Sequence, residues 1–245
     1  MKGHYIQRDA LAEVRVAVVM KAFHDHGQEA WKSIGYGCGQ ALVPALQHCK
    51  YQVADFVQMF DVVKFGFVQG LFMVSEELYY EGIKRTPSGK PIFPWSYVLA
   101  IHRSDLNMAE LIDMKPMAEP SAKVKVSVRM KGQQDGTKDA WNCIGMACGK
   151  ALGRALRVCK YQQGDFVEMY DPITVGFMQG FFKTTGTAYS EGSVGFATGA
   201  TRAWEEALDI HRLCQVVASL KASTKPLLRR NPQGGYGLPR ERQRH

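Results

Sequence analysis

Hydrophobic and polar residues alternate in two short segments of the chain. In VKVSVRMK, residues 124–131, valine or methionine occupies every second position, and lysine, serine or arginine lies between them. A period of two residues is typical of a strand that buries one face. The segment VRVAVVMK, residues 14–21, has a similar pattern. Because an isolated strand exposes an unpaired backbone edge, we expect these two strands to pair either with each other or with a partner's strand.

Two longer segments follow a helical period. Ile144, Cys148 and Leu152 recur at a spacing of four residues, which places them on one face of a helix. This pattern predicts a helix at 139–159, and a closely similar sequence predicts a matching helix at 29–49.

The remaining elements are also predicted to be helical. Each DFVxM segment predicts a short turn, and Asp171 followed by Pro172 predicts the N-terminus of a helix that ends near Thr185. Final helices are predicted at 94–112 and 201–222. We therefore expect a mainly α fold with a minor β element, of the α+β class.

Glycines recur four residues apart within these helices. Each interior glycine costs roughly 1 kcal/mol of helix propensity relative to alanine, and close approach of another helix is the usual compensation. Charged residues interrupt the pattern, which favours packing against protein rather than a helix pair in a membrane. We expect these faces to form close helix contacts and to bind neighbouring subunits. The predicted helix-packing residues are Gly35, Gly39, Gly145, Gly149, Gly176 and Gly180.

The sequence matches itself when it is shifted by 110 positions. Residues 14–82 and 124–192 are identical at 33 of 69 positions without a gap. This similarity predicts a tandem duplication of a strand-plus-helices unit, with the two copies related by a pseudo-two-fold axis. The predicted organisation is an N-terminal arm (1–13), a first repeat unit (14–112), a linker (113–123), a second repeat unit (124–222) and an extended basic tail (223–245).

The positive charge is concentrated at the C-terminus. The formal net charge is +8, and the last 25 residues hold seven lysines and arginines against one glutamate. Three prolines and three glycines prevent this tail from forming a core, and alone it should be disordered. We expect protein subunits, RNA or acidic lipid head groups to hold it. The candidate partner-binding residues are Lys150, Arg154 and Arg157 on one helix face, and Arg229, Arg230, Tyr236, Arg240 and Arg242 in the tail.

Few residues indicate chemistry. Cys38 and Cys49 lie about 16 Å apart along a predicted helix, so they cannot share a metal, and the cysteines are interpreted as core residues. Asp61 and Asp171 are explained as helix caps. The sequence contains no P-loop, GxSxG or HExxH motif. We therefore predict no catalytic residue, cofactor or metal.

No continuous apolar run reaches the roughly 18–20 residues that span a bilayer. The most apolar stretch, residues 65–74, is about half that length, so we expect no transmembrane helix. The first twenty residues do not have the pattern of a cleaved signal.

Three functional hypotheses remain. The first is a non-catalytic accessory subunit of a large assembly, of the kind found in mitochondrial respiratory or ATP synthase complexes. The second is an RNA-contacting organellar ribosomal or assembly protein. The third is an enzyme with a site on the pseudo-two-fold axis near His102 and His211, which recur in both halves. The unpaired cysteine pattern favours a reducing compartment, and we expect the mitochondrial matrix.

Overall fold

The computed structural model describes residues 12–20, 27–85, 93–115, 122–130, 138–194 and 203–224. Within these ranges the chain forms seven helices and two strands, and the prediction of a mainly helical fold with a minor β element is confirmed. In chain order the elements are β1 (Ala12–Met20), α1 (Gln28–His48), α2 (Val53–Arg85), α3 (Trp95–Asp105), α4 (Met108–Asp113), β2 (Ala122–Met130), α5 (Lys138–Val158), α6 (Gln163–Val194) and α7 (Trp204–Thr224).

The chain divides into two compact units, residues 1–204 and 205–245. The first unit therefore includes both predicted repeat units up to Trp204 and does not divide at the predicted linker, 113–123. The reason is that helices from the first half pack on helices from the second half, as described below. The second unit consists, in its described part, of α7.

The two strands form an antiparallel ribbon with each other. Val16 lies opposite Val126 at its centre, and Ala12 lies opposite Met130 at one end. The even-numbered residues of both strands face inward, where β2 packs on α1 and β1 packs on α5. The odd-numbered residues point away from these helices. The ribbon thus covers the α1 and α5 layer, and α2 and α6 pack on the other side of that layer.

Each of the long helices α1, α2, α5 and α6 packs on a helix from the other half of the sequence. α1 packs along α6, α2 packs along α5, and α2 also contacts α6. At the centre, the Sγ atoms of Cys38 and Cys148 lie 3.4 Å apart. The rings of Phe67 and Phe177 stack with their centroids 3.6 Å apart and their planes within 4° of parallel. All four side chains are fully buried, so the core lies between the halves rather than within each of them.

Glycines allow this packing between the halves because, without a side chain, they let two helix backbones come into direct contact. A Cβ atom added to Gly35 would overlap the carbonyl oxygen of Ile173, and one added to Gly145 would overlap that of Val63. Gly39, Gly149, Gly176 and Gly180 lie in equally close backbone contacts. The same set of glycines was expected to bind neighbouring subunits. Helices of the same chain already occupy these faces, so they are not available to a partner.

The predicted start of α6 is wrong. The helix begins at Gln163 and runs to Val194 without interruption, so that the DFVEM segment is helical and Pro172 lies inside the helix. Asp171 is therefore not a cap, and Asp61 likewise lies inside α2. The caps are different acids: the Asp55 carboxylate accepts the Gln52 backbone N–H at 2.6 Å, and Asp165 makes the same contact with Gln162 at 2.5 Å.

The predicted helix at 94–112 is divided in two. α3 ends at Asp105 and α4 begins at Met108. The Asn107 side chain accepts a hydrogen bond from the backbone N–H of Glu110 at 3.4 Å, which caps the N-terminus of α4. This local competition of an asparagine side chain with the helix backbone explains the break.

Candidate functional site

The predicted basic face of α5 is partly used inside the protein. Arg157 pairs with Glu81 of α2 at 2.5 Å, and Lys150 is half-buried, whereas Arg154 is exposed. The other predicted partner-binding residues, Arg229, Arg230, Tyr236, Arg240 and Arg242, lie outside the described residues. Within the described part of the chain, Arg154 is therefore the cation of this group that is exposed and forms no ion pair.

Helix α7 presents an apolar stripe. Ile210, Leu213, Val217 and Leu220 follow a spacing of three, four and three residues, which places them on one face. Leu213 and Leu220 are 64% and 62% exposed. Every side chain at residues 213–223 except that of Gln215 is exposed. Sequence reasoning placed a helix here but missed this stripe, although its spacing could have revealed it.

The outer face of the ribbon is a second surface that sequence reasoning missed. Lys123, Lys125 and Arg129 of β2 are exposed on it, as is Arg15 of β1. Arg15 pairs with Glu13 of the same strand at 2.7 Å. The signal was present in the alternation, because the positions between the half-buried valines of β2 are occupied by lysine, serine and arginine.

Arg103 of α3 forms the best-buried ion pair in the described part of the chain. Its Nε and Nη2 atoms donate to both carboxylate oxygens of Asp171 at 2.9–3.1 Å. The Asp171 side chain is only 5% exposed, and its hydrogen bonds raise the pKa of Arg103. Arg103 also lies 5.4 Å from the ring centroid of Tyr170. Burial raises the pKa of Tyr170 to about 12, although the Arg103 charge acts against it.

We expect Arg103→Gln to lower the free energy of unfolding by about 1–3 kcal/mol, because it removes charged donors from a buried carboxylate. Arg103 itself is 47% exposed, so solvent weakens the ion pair. The loss of stability therefore comes mainly from leaving the buried Asp171 carboxylate without its charged donor. Urea unfolding, followed by tryptophan fluorescence, measures the change. Arg154→Gln, at an exposed position, is the control and should stay within about 0.5 kcal/mol. Equal effects of the two substitutions would show that Arg103 does not stabilise the protein through its ion pair with Asp171.

Lys32 of α1 is fully buried and closes the C-terminus of α4. Its Nζ donates to the carbonyl oxygen of Leu111 at 2.6 Å, and also to those of Ile112 and Met114. The last carbonyls of a helix have no intrahelical donors and carry partial negative charge. Burial lowers the pKa of Lys32, and Asp113 acts in the opposite direction. Lys32 therefore has a structural role that the sequence did not reveal.

The predicted core position of the cysteines holds for some of them: Cys38 and Cys148 are buried, Cys49, Cys143 and Cys159 are half-buried, and Cys214 is exposed. The hydrogen bond to Cys148, together with burial, raises the pKa of Cys38. Burial also raises the pKa values of Cys49 and Cys159. Raised pKa values keep these thiols protonated and unreactive. Among the described residues, no group of three or more histidines, cysteines and acids is placed to hold a metal ion.

The two histidines of the enzyme hypothesis have different surroundings. The Nε2 atom of His102, on α3, is buried and has no hydrogen-bond partner among the described residues. His211 lies on α7, where its Nε2 atom is 2.5 Å from the side-chain nitrogen of Gln215. Each histidine belongs to a different compact unit.

One helix segment in the described part of the chain, Ala54–Ile83 of α2, meets the length and composition of a membrane span, with a mean hydropathy of 1.4 in its most apolar window. Of that window, 44% is buried inside the protein. The residues that α5 and α6 cover include Val63, Phe67 and Leu71. Packing within the protein therefore accounts for the apolar residues in the buried part of this window.

Comparison with known proteins adds no relative to this description: no family model, no curated protein and no solved structure matches the chain.

Proposed function

We propose that the protein is a structural subunit of a larger assembly, in which α7 and the tail that follows it bind a neighbouring subunit. The observation that carries this proposal is the exposed apolar stripe of α7. Most of the stability of a helix in a protein comes from the packing of its apolar face, and exposed apolar surface commonly marks an interaction site. Since Leu213 and Val217 face solvent in this chain, a helix of another subunit is the proposed partner of this stripe.

The tail continues this surface along the sequence. It begins where α7 ends, at Thr224, and residues 221–245 hold seven cations against one glutamate. Mutual repulsion of these cations favours a partner that supplies carboxylates or phosphates. We propose the mitochondrial matrix as the location, supported by the basic pI of 9.2 and by cysteines that are free in the described structure.

We also propose that the chain arose by tandem duplication and that its halves are related by a pseudo-two-fold axis. The support comes from residues 110 positions apart that contact each other: Val16 with Val126, Cys38 with Cys148, and Phe67 with Phe177. The same contact also occurs with the two halves interchanged. Gly35 contacts Ile173, and the residues equivalent to these two at an offset of 110, Gly145 and Val63, contact each other. On this proposal the first unit is a fused dimer that acts as a rigid platform.

The assembly proposal is tested with the double variant Leu213→Ser, Val217→Ser. The native protein should sediment with a large complex in cell lysate, and the variant should shift to the free fraction with an unchanged melting temperature. The double variant Ser219→Ala, Ser223→Ala changes exposed residues of the same helix and is the control. Two results would contradict the proposal: a wild-type protein that sediments as a monomer in lysate, or a purified homodimer that the variant dissociates.

Deletion of residues 226–245 gives a second test. We expect the melting temperature of the body to change little, because the tail lacks the apolar periodicity of a core element, while the fraction of protein in the complex falls. Differential scanning calorimetry and sedimentation measure the two effects. If the deletion unfolds the body and leaves assembly intact, the tail is an internal strap and this part of the proposal fails.

A further inference from the structure

The outer face of the β1–β2 ribbon carries a dense set of cations that the packing of the protein does not use. Eight odd-numbered residues form this face, and they include four cations and one carboxylate, which gives a net charge of +3. The helices that pack on the ribbon, α1 and α5, lie on its inner face. The eight residues of the outer face are Glu13, Arg15, Ala17, Val19, Lys123, Lys125, Ser127 and Arg129.

The charge is concentrated on one strand. Lys123, Lys125 and Arg129 are exposed on β2, and the described residues provide no ion pair for any of them. Alternate residues of a strand lie about 6.8 Å apart, so that the row from Lys123 to Arg129 extends over about 20 Å. Arg15 is partly neutralised by Glu13, a carboxylate that also lies opposite Arg129. Unpaired cations in a regular row create a positive potential that attracts a polyanion.

The shape of the ribbon narrows the choice of polyanion. The major groove of B-DNA is about 12 Å wide and admits a two-stranded ribbon, whereas the major groove of A-form RNA is too deep and narrow for side chains to read. Across the ribbon, Lys125 lies opposite Ala17 and Arg129 lies opposite Glu13. These side chains match groove chemistry, since arginine and lysine bind guanine and alanine contacts the thymine methyl group.

We propose that the outer face of the ribbon binds double-stranded DNA, with the ribbon in the major groove and its cations on phosphates and guanine edges. This site is distinct from α7 and the tail, and the proposal does not depend on the assembly function. The inner face holds the ribbon in place, because its valines and methionines pack on α1 and α5. The outward side chains can therefore be replaced without disturbing the core.

The experiment measures binding of the full-length protein to a fluorescent DNA duplex of about two helical turns, by anisotropy over a series of salt concentrations. The ribbon variant is Lys123→Ser, Lys125→Ser, Arg129→Ser. The control variant is Lys115→Ser, Lys138→Ser, Lys183→Ser, which removes three exposed lysines outside the ribbon. Both variants have the same net charge, so the comparison cancels the contribution of the basic tail. Circular dichroism and the melting temperature check that both remain folded.

We expect the ribbon variant to bind DNA at least roughly tenfold more weakly and to lose about 2.7 units of salt slope, at about 0.9 per phosphate contact. The control should keep the wild-type slope within about one unit, and an RNA duplex of the same sequence should bind more weakly than DNA. Equal losses in both variants would overturn the proposal, because they indicate a non-specific charge effect. Ribbon-dependent binding to phosphatidylserine vesicles without DNA binding, or equal affinity for RNA and DNA duplexes, would also overturn it.

Discussion

Gly145→Leu is expected to lower the free energy of unfolding by about 3 kcal/mol or more, because a side chain there has no space. The first added atom, Cβ, already overlaps the carbonyl oxygen of Val63 and lies 2.9 Å from the backbone nitrogen of Phe67. Backbone atoms cannot change rotamer to escape, so α2 and α5 must separate. Chemical denaturation measures the loss, and a change within about 0.5 kcal/mol would mean that this helix face is exposed.

The substitution Gly145→Ala separates the loss of stability caused by overpacking from the gain caused by higher helix propensity. By propensity alone, a glycine-to-alanine change within a helix stabilises it by roughly 1 kcal/mol. We expect Gly145→Ala to destabilise the protein despite this gain. Gly164→Ala is the matched control, because Gly164 also lies in a helix but a Cβ added there meets nothing within 4 Å. If both substitutions stabilise the protein, α2 and α5 do not pack as closely as described.

Lys32→Met is expected to lower the free energy of unfolding by about 2–4 kcal/mol, because it leaves buried carbonyl oxygens without a donor. Methionine keeps most of the aliphatic volume, so the lost interaction is that of the ammonium with the C-terminus of α4. Denaturation by urea gives the global change. Hydrogen exchange should show that the amides of α4 become less protected, since the contact with Leu111 anchors this short helix.

Lys115→Met provides the control for Lys32→Met. Lys115 follows the same helix in the sequence but is exposed, so its replacement should change stability by no more than about 0.5 kcal/mol. If the two variants unfold alike and α4 keeps its protection in both, Lys32 does not stabilise α4.

The strands and the first helix of each half could be predicted from the sequence because their signals are local. Alternation in 124–131 marks β2 whatever lies beside it, since the period of a strand depends on its own backbone. Likewise, the spacing of Ile144, Cys148 and Leu152 predicted α5, and all three residues are buried in it.

The interior of α6 could not be predicted in the same way. Asp171 followed by Pro172 is typical of a helix start, yet α6 passes through both residues. The deciding partners are distant in sequence: Arg103, 68 residues away, satisfies Asp171, and α1 packs along the helix. Tertiary packing here outweighs a local capping preference, as it commonly does when the buried face is long.

Both the sequence and the tertiary structure were needed to identify the candidate surfaces. The cations of β2 are visible in the sequence, but only the pairing of β2 with β1 and the packing of one ribbon face make them a single exposed row. The role of Lys32, in contrast, is visible only in the tertiary structure, because nothing in its sequence neighbourhood distinguishes it from a surface lysine. Its partners at Leu111, Ile112 and Met114 are about 80 positions away.

By itself, the sequence determined the types of most elements, the internal similarity between 14–82 and 124–192, and the presence of glycines that require close helix contacts. Only the tertiary structure decided which helices those glycines meet. Glycine spacing specifies that a backbone can approach but not which backbone does so. The choice of α6 for α1 and of α5 for α2 follows from burying Phe67, Phe177, Cys38 and Cys148 together between the halves. Burial of apolar surface is a property of the whole packed chain, and no local pattern encodes it.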